Sequence, residues 1–156
     1  MKQFFALTMA LVLATACGIF GQTPEERRQI ADEVQQKLDE RSFEIDINYM
    51  IPLRGTGKAV NSYSVSVKDN VLDSHLPYFG VARDLPYGGG KGLTFTEKIS
   101  AYSDSGLVGD RREIVVTVAN GEDIYVYTIT VFDNGSADVH VHSRNRDDIS
   151  YRGSLR

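Results

Sequence analysis

The residues best suited to chemistry are Asp138, His140 and His142, which alternate through an apolar segment near the C-terminus. Successive side chains of an extended strand point to opposite faces, so these three share one face. Two imidazoles at that spacing suit zinc, with the carboxylate as a third ligand, and a metal-dependent enzyme or metal-binding protein is the function such a set would serve. The wet face of a half-buried strand produces the same pattern with no chemistry attached. The chain holds no H-E-x-x-H helix and no second ligand cluster, so neither a metal nor any other cofactor is expected. His75 lies on another segment and cannot be placed beside the pair from sequence.

Other chemistries fare no better. The run G-G-G-K-G over residues 88–92 lacks the Ser or Thr after Lys91 that a phosphate-binding loop needs, although its amides could form an anion-binding nest. No G-x-S-x-G elbow is present, and the single cysteine, Cys17, stands at the end of an apolar leader. Glu25-Glu26 and Asp147-Asp148 read as a helix start and a solvated loop rather than as paired catalytic carboxylates. No catalytic set is recognisable, and a non-enzymatic role is expected.

The most unusual stretch is L-P-Y-F-G-V-A-R-D-L-P-Y-G-G-G-K-G-L-T-F, residues 76–95. Pro77 and Pro86 remove amide donors and push the residues before them towards extended conformations, so neither a central strand nor a helix runs through. Ordering so many glycines costs about 1–2 kcal/mol or more of backbone freedom per residue, which the aromatics must offset. Two roles are open for this crossing. Tyr78 and Phe79 could fold back and close one end of the core, or Tyr78, Phe79 and Tyr87 could line a groove flanked by Arg83, Asp84 and Lys91. The second makes these six residues a candidate binding loop for an envelope protein, peptide or glycan.

The elements that must position these residues follow from periodicity. Thr23-Pro24-Glu25-Glu26 is a helix start, with Thr23 as N-cap, Pro24 at the first helical position and Glu26 completing a capping box. Ile30, Val34 and Leu38 make a one-sided stripe, and the helix should reach about Arg41. From Phe43 the period becomes two: Phe43, Ile45, Ile47, Tyr49 and Ile51 alternate with polar residues until Pro52. Residues 52–62 read as a loop, Tyr63 to Val67 as the next strand, and residues 103–110 as a polar loop. Apolar faces of the last hairpins meet only if Ile114, Val116 and Val118 oppose Ile129, Tyr127 and Tyr125 across a four-residue loop, Asn120 to Asp123. Val131, Ile129 and Tyr127 likewise meet Ala137, Val139 and Val141 across Asp133-Asn134-Gly135, with Gly135 in the left-handed region. The expectation is an α+β domain over residues 23–156: an antiparallel meander sheet of about seven strands with one N-terminal helix packed on it.

Met1-Lys2-Gln3 followed by an apolar run to Ala16 has the form of a signal peptide over residues 1–16, with residues 17–22 as a tether. Ala14-Thr15-Ala16 is a signal-peptidase site, and Leu13 to Cys17 also resembles a lipobox; both cut before Cys17. Lipidation of Cys17 would anchor the protein to a membrane through acyl chains, at the periplasmic face of the outer membrane or at the cell surface. A soluble periplasmic or secreted protein is the alternative. The chain has 17 basic and 21 acidic residues, and loss of Lys2 leaves 16 against 21, a charge of −5. That balance argues against nucleic acid as a partner.

L-P-Y-F-G at 76–80, P-Y-G-G-G-K-G at 86–92, F-D-N-G at 132–135 and N-R-x-x-I-x-Y-x-G at 145–153 together resemble DUF4251, a domain-of-unknown-function family of small secreted or lipid-anchored proteins from Gram-negative bacteria. The resemblance implies one domain and an envelope location. It supplies no substrate and no catalytic residue.

Overall fold

The computed structural model describes residues 22–81, 92–121 and 123–156. The leader, Cys17, the tether up to residue 21, and Arg83, Asp84, Tyr87 and Lys91 lie outside the described residues. The elements, in order, are α1 (Pro24–Asp39), β1 (Phe43–Pro52), β2 (Lys58–Lys68), β3 (Val71–Leu76), β4 (Leu93–Val108), β5 (Arg111–Asn120), β6 (Asp123–Phe132), β7 (Ser136–Ser143) and β8 (Ile149–Leu155). Every strand pairs antiparallel with its sequence neighbours, and β8 pairs back onto β1. The sheet is therefore a closed eight-stranded barrel, which corrects the expected open meander of about seven strands. Closure has a plain cause. The stripe of α1 is too narrow to cover an open sheet, whereas a barrel buries the apolar face of each strand against the others.

The seam depends on one residue that periodicity does not mark. Gly153 lies where β8 passes Ile47, next to the bulge between Ile47 and Tyr49, and a Cβ there would run into the Asp46 backbone carbonyl. Only glycine lets the two strands approach closely enough to pair.

Inside the barrel, Ile45, Val65, Leu72, Ile114, Ile129 and Val139 are fully buried, as are the larger Tyr127 and Tyr151. Outside, Thr128, Thr130, Asp138, His140 and His142 face away from the core, with a few apolar residues such as Ile124 and Val126 among them. Apolar inside and polar outside is the reverse of a transmembrane barrel.

The two final hairpin registers are as the sequence predicts. Ile114, Val116 and Val118 oppose Ile129, Tyr127 and Tyr125, and Val131, Ile129 and Tyr127 oppose Ala137, Val139 and Val141. Gly135 is left-handed, at φ 81°. The β5–β6 connection is tighter than expected, because Asn120 pairs with Asp123 and leaves a two-residue turn with Gly121 at φ 64°. Residues 58–62, expected as loop, belong to β2, and the expected polar loop at 103–110 is mostly strand. β4 runs on to Val108 through register shifts between Ile99 and Ala101 and between Asp104 and Leu107. The first shift moves the inward face from Leu93, Phe95 and Ile99 to Tyr102 and Asp104, so the period-two signal is lost although pairing continues.

Alternating connections place the strand ends in two groups. At one end are the start of β1, the β2–β3, β4–β5 and β6–β7 turns, and the last residues of β8. Helix α1 lies over this end: Val34 and Leu38 enter the core, and Lys37 Nζ donates to the Arg156 carbonyl at 2.8 Å. Its start is capped as expected, with Thr23 Oγ1 accepting from Glu26 N and Glu26 Oε2 accepting from Thr23 N. A capping box of this kind contributes about 1 kcal/mol. At the other end, called here the far end, lie the β1–β2 and β5–β6 turns, the β3–β4 crossing and the β7–β8 loop.

Candidate functional site

The far end is where the sequence's unusual stretch begins, and the core holds both of its feet. Tyr151 Oη donates to the Pro77 carbonyl at 2.6 Å. Tyr127 Oη donates to Ser74 Oγ at 2.9 Å, and Ser74 Oγ to the Leu93 carbonyl at 2.7 Å. Burial pushes both tyrosine hydroxyls well above their ordinary range, so they stay neutral donors. Leu76 and Leu93 are buried and paired with each other where the crossing leaves and rejoins the sheet.

Beyond Pro77 the chain is clasped by the β7–β8 loop. Asp147 N donates to the Val81 carbonyl at 3.1 Å, and Val81 N donates to Asp147 Oδ2 at 3.3 Å. Tyr78 folds inward: its hydroxyl donates towards the Asp147 carbonyl at 3.2 Å and lies 3.3 Å from that of Val81, while the Arg146 guanidinium sits over its ring. Burial, helped by the Asp147 charge, raises the Tyr78 hydroxyl. A Cβ at Gly80 would press on the Tyr78 hydroxyl, so any other residue there would have to displace that ring.

Phe79 and Val81 point the other way. They are 56% and 57% exposed, and Leu53 in the β1–β2 turn is 60% exposed. Lys58 Nζ lies 4.7 Å from the centre of the Phe79 ring and ties that turn to the crossing. Of the two expected core-closing aromatics, Tyr78 therefore packs against the core and Phe79 does not. The remaining residues of the candidate loop, Arg83, Asp84, Tyr87 and Lys91, fall among those not described.

The histidines are brought together, though not with the expected carboxylate. His142 Nδ1 lies 2.7 Å from Asp148 Oδ1, so it carries the proton and donates; His140 Nε2 lies 3.4 Å from Asp148 Oδ2. His140 Nδ1 meets Ser150 Oγ at 3.0 Å. Asp138 instead faces Arg152, at 3.7 Å. Among the described residues no group of three or more His, Cys, Asp or Glu is arranged to hold a metal. Asp138, His140 and His142 thus share the outer face of β7 as the sequence predicts, where their contacts in the described residues are those of a polar ladder on the convex wall. His75 stands apart on β3, stacked on Tyr63 at 5.3 Å.

Asp147 and Asp148, expected as a solvated loop, are the residues that sequence reasoning missed. Each is half-buried and engaged, Asp147 with the crossing and Asp148 with the histidines. Much of what Asp147 holds is backbone, and backbone partners leave no trace in side-chain patterning. The one available signal was proximity to Tyr151 in the motif from Asn145 to Gly153.

The family model "Domain of unknown function (DUF4251)" matches residues 25–155, which spans α1 and the whole barrel. The chain belongs to the DUF4251 family. Its fold is similar to that in the crystal structure of a DUF4251 family protein from Bacteroides eggerthii, at TM-score 0.61 and 17% identity, covering 81% of this chain and 87% of that one. A comparison with curated proteins gives no match. Family membership and the barrel therefore agree, and the far-end geometry is the feature that remains to be given a role.

Proposed function

We propose that the protein is a non-enzymatic module of the cell envelope, anchored through a lipid on Cys17, that recognises a partner with the far end of its barrel. One observation carries this reading: Phe79 and Val81 are exposed although their segment is held on both sides by Tyr78 and Asp147. An apolar side chain on a loose tip exposes itself by default. One on a clasped backbone is presented, and presentation of apolar anchors on an ordered loop lowers the entropy that binding must overcome.

The path of the chain supports the anchor. Gln22 lies beside Arg27 and Asn134 at the α1 end, five residues after Cys17. Five extended residues reach about 18 Å. An anchor at Cys17 would hold the α1 end near the membrane and turn the far end away from it, towards periplasmic or external partners.

The test is a photo-crosslinking amino acid at position 79 in cells, with position 107 as the control. Leu107 is 53% exposed near the end of β4, beside the β4–β5 turn at the α1 end. The reading predicts discrete adducts from position 79 and none, or only a diffuse background, from position 107. Equal labelling from both, or from neither, contradicts it. Mass spectrometry of the mature N-terminus tests the anchor separately, by showing a diacylated or triacylated cysteine at residue 17 or an unmodified one.

A further inference from the structure

We infer that Leu107 and Val108 make a second membrane contact, seated at the headgroup and acyl boundary of the bilayer that holds the anchor. This rests on the lipid at Cys17 and not on any partner at the far end. The first described residue, Gln22, lies beside Asp133 in the β6–β7 turn, and Asp133 N donates to the Asp110 carbonyl of the β4–β5 turn at 2.9 Å. The point from which the chain leaves for Cys17 is thus joined to the end of β4 through one residue. Five extended residues reach about 18 Å, so acyl chains on Cys17 bring a bilayer surface to this turn.

The turn is built to present its apolar pair. Val108 pairs with Arg111 across a two-residue turn, Gly109-Asp110, in which Gly109 is left-handed at φ 68°. Asp104, besides gripping Arg112, accepts from Gly106 N at 2.9 Å and fixes the approach of β4. Residues opposite one another on paired strands share a face. Leu107, opposite the buried Arg112, therefore stands at the barrel mouth, whereas Val108 lies on the outer wall in one row with Arg111 and the half-buried Phe132. An apolar tip with an aromatic behind it and an arginine between them suits a bilayer boundary. The Arg111 stem can run along apolar surface while its guanidinium reaches a lipid phosphate. The other two turns at this end carry Lys68-Asp69-Asn70 and Asp133-Asn134-Gly135, so the contact is confined to the β4–β5 turn. Asp110 and Asp133 flank it and are exposed, so the attraction is apolar and anionic lipid is not required.

The chain has one cysteine and no tryptophan, which permits a direct test. The mature chain carrying Val108→Trp is coupled through the Cys17 thiol to a maleimide lipid in phosphatidylcholine vesicles. Emission should shift to shorter wavelength than in the uncoupled protein, and bromines placed high on the acyl chains should quench it more than bromines near the chain ends. Leu107→Asp in the same chain should abolish both effects, because insertion would then bury a charge. Phe79→Trp, at the far end, should show neither. Emission unchanged on coupling overturns the contact. Insertion that survives Leu107→Asp, or that occurs equally at position 79, overturns it as well, since the indole or the tether would then suffice. Insertion that demands anionic lipid overturns the apolar assignment, and discrete protein adducts from a photo-crosslinker at position 108 in cells overturn the assignment to lipid. Because the coupling replaces natural acylation, a failure of insertion leaves the anchor standing. An unmodified Cys17 in the mature protein removes the anchor, and this contact with it, whatever the vesicles show.

Discussion

The two ends of the barrel carry equally exposed apolar pairs, yet they are built differently. Leu107 and Val108 at the α1 end are 53% and 63% exposed, much as Phe79 and Val81 are at the far end. What separates the ends is the use of charge. At the α1 end Arg112 points into the barrel mouth and is 10% exposed; it makes a two-pronged contact with Asp104 at 2.6 and 2.8 Å and reaches Asp39 and Gln35 on the helix. That cluster fastens α1 to the strands. At the far end the acids bind backbone and imidazole, and cations stay open to solvent. Exposure of an apolar pair alone is therefore a poor guide to function, and its neighbours decide.

The difference can be broken most forcefully at Arg112. Asp104→Ala leaves a buried guanidinium with only the exposed Asp39 and the neutral Gln35, and is expected to cost about 3 kcal/mol by denaturant unfolding. Asp39, whose side chain is 68% exposed, should cost under about 1 kcal/mol when changed to Ala, because solvent screens it. Equal effects from the two would mean that Arg112 depends on Asp39 as much as on Asp104.

At the far end the largest contribution comes from below the surface. Tyr151→Phe removes the donor to the Pro77 carbonyl and should cost about 1–2 kcal/mol, with faster amide exchange confined to residues 78–81. An unfolding change spread over the whole barrel would show that the hydroxyl serves the core rather than the crossing.

Acid and alkali separate the ends by sign. The hydrogen bond from Arg112 holds the Asp104 carboxyl below its ordinary range, so its contribution is full above the unfolded value, about 3.9, and is lost as pH falls through the lower folded value. Burial raises the Tyr127 and Tyr151 hydroxyls, so their contribution is full below about 10 and is lost as pH rises past the folded values. In Asp104→Asn the acid dependence in that window should shrink while the alkaline limb, followed by tyrosinate absorbance, stays in place.

How much of this was legible in the sequence varies with the interaction concerned. The capped helix and the registers of β5, β6 and β7 follow from side-chain types alone, since a slip of one residue would turn Tyr127 and Ile129 outward. Barrel closure was hidden because it turns on the room left by Gly153 against a backbone carbonyl, and the length of β4 because its bulges change parity. Arg112 looked like any charged residue at a strand start; that it faces inward is visible only once Asp104, beyond one bulge and beside the next, is seen to face it. At the site, Tyr78 and Phe79 were legible as a pair worth attention, but their opposite fates depend on Asp147, whose grip on Val81 is made through both its backbone and its carboxylate.

The central claim is that the far end displays its apolar residues without needing them for stability, and it is tested most directly by the melting temperature of a Phe79→Ser, Val81→Ser double variant. A shift within about 1–2 °C of the unaltered protein is predicted, because neither side chain belongs to the core and exposed substitutions stay within about 0.5 kcal/mol. A fall of about 8 °C or more would show that these residues hold the barrel end shut, and would contradict the account.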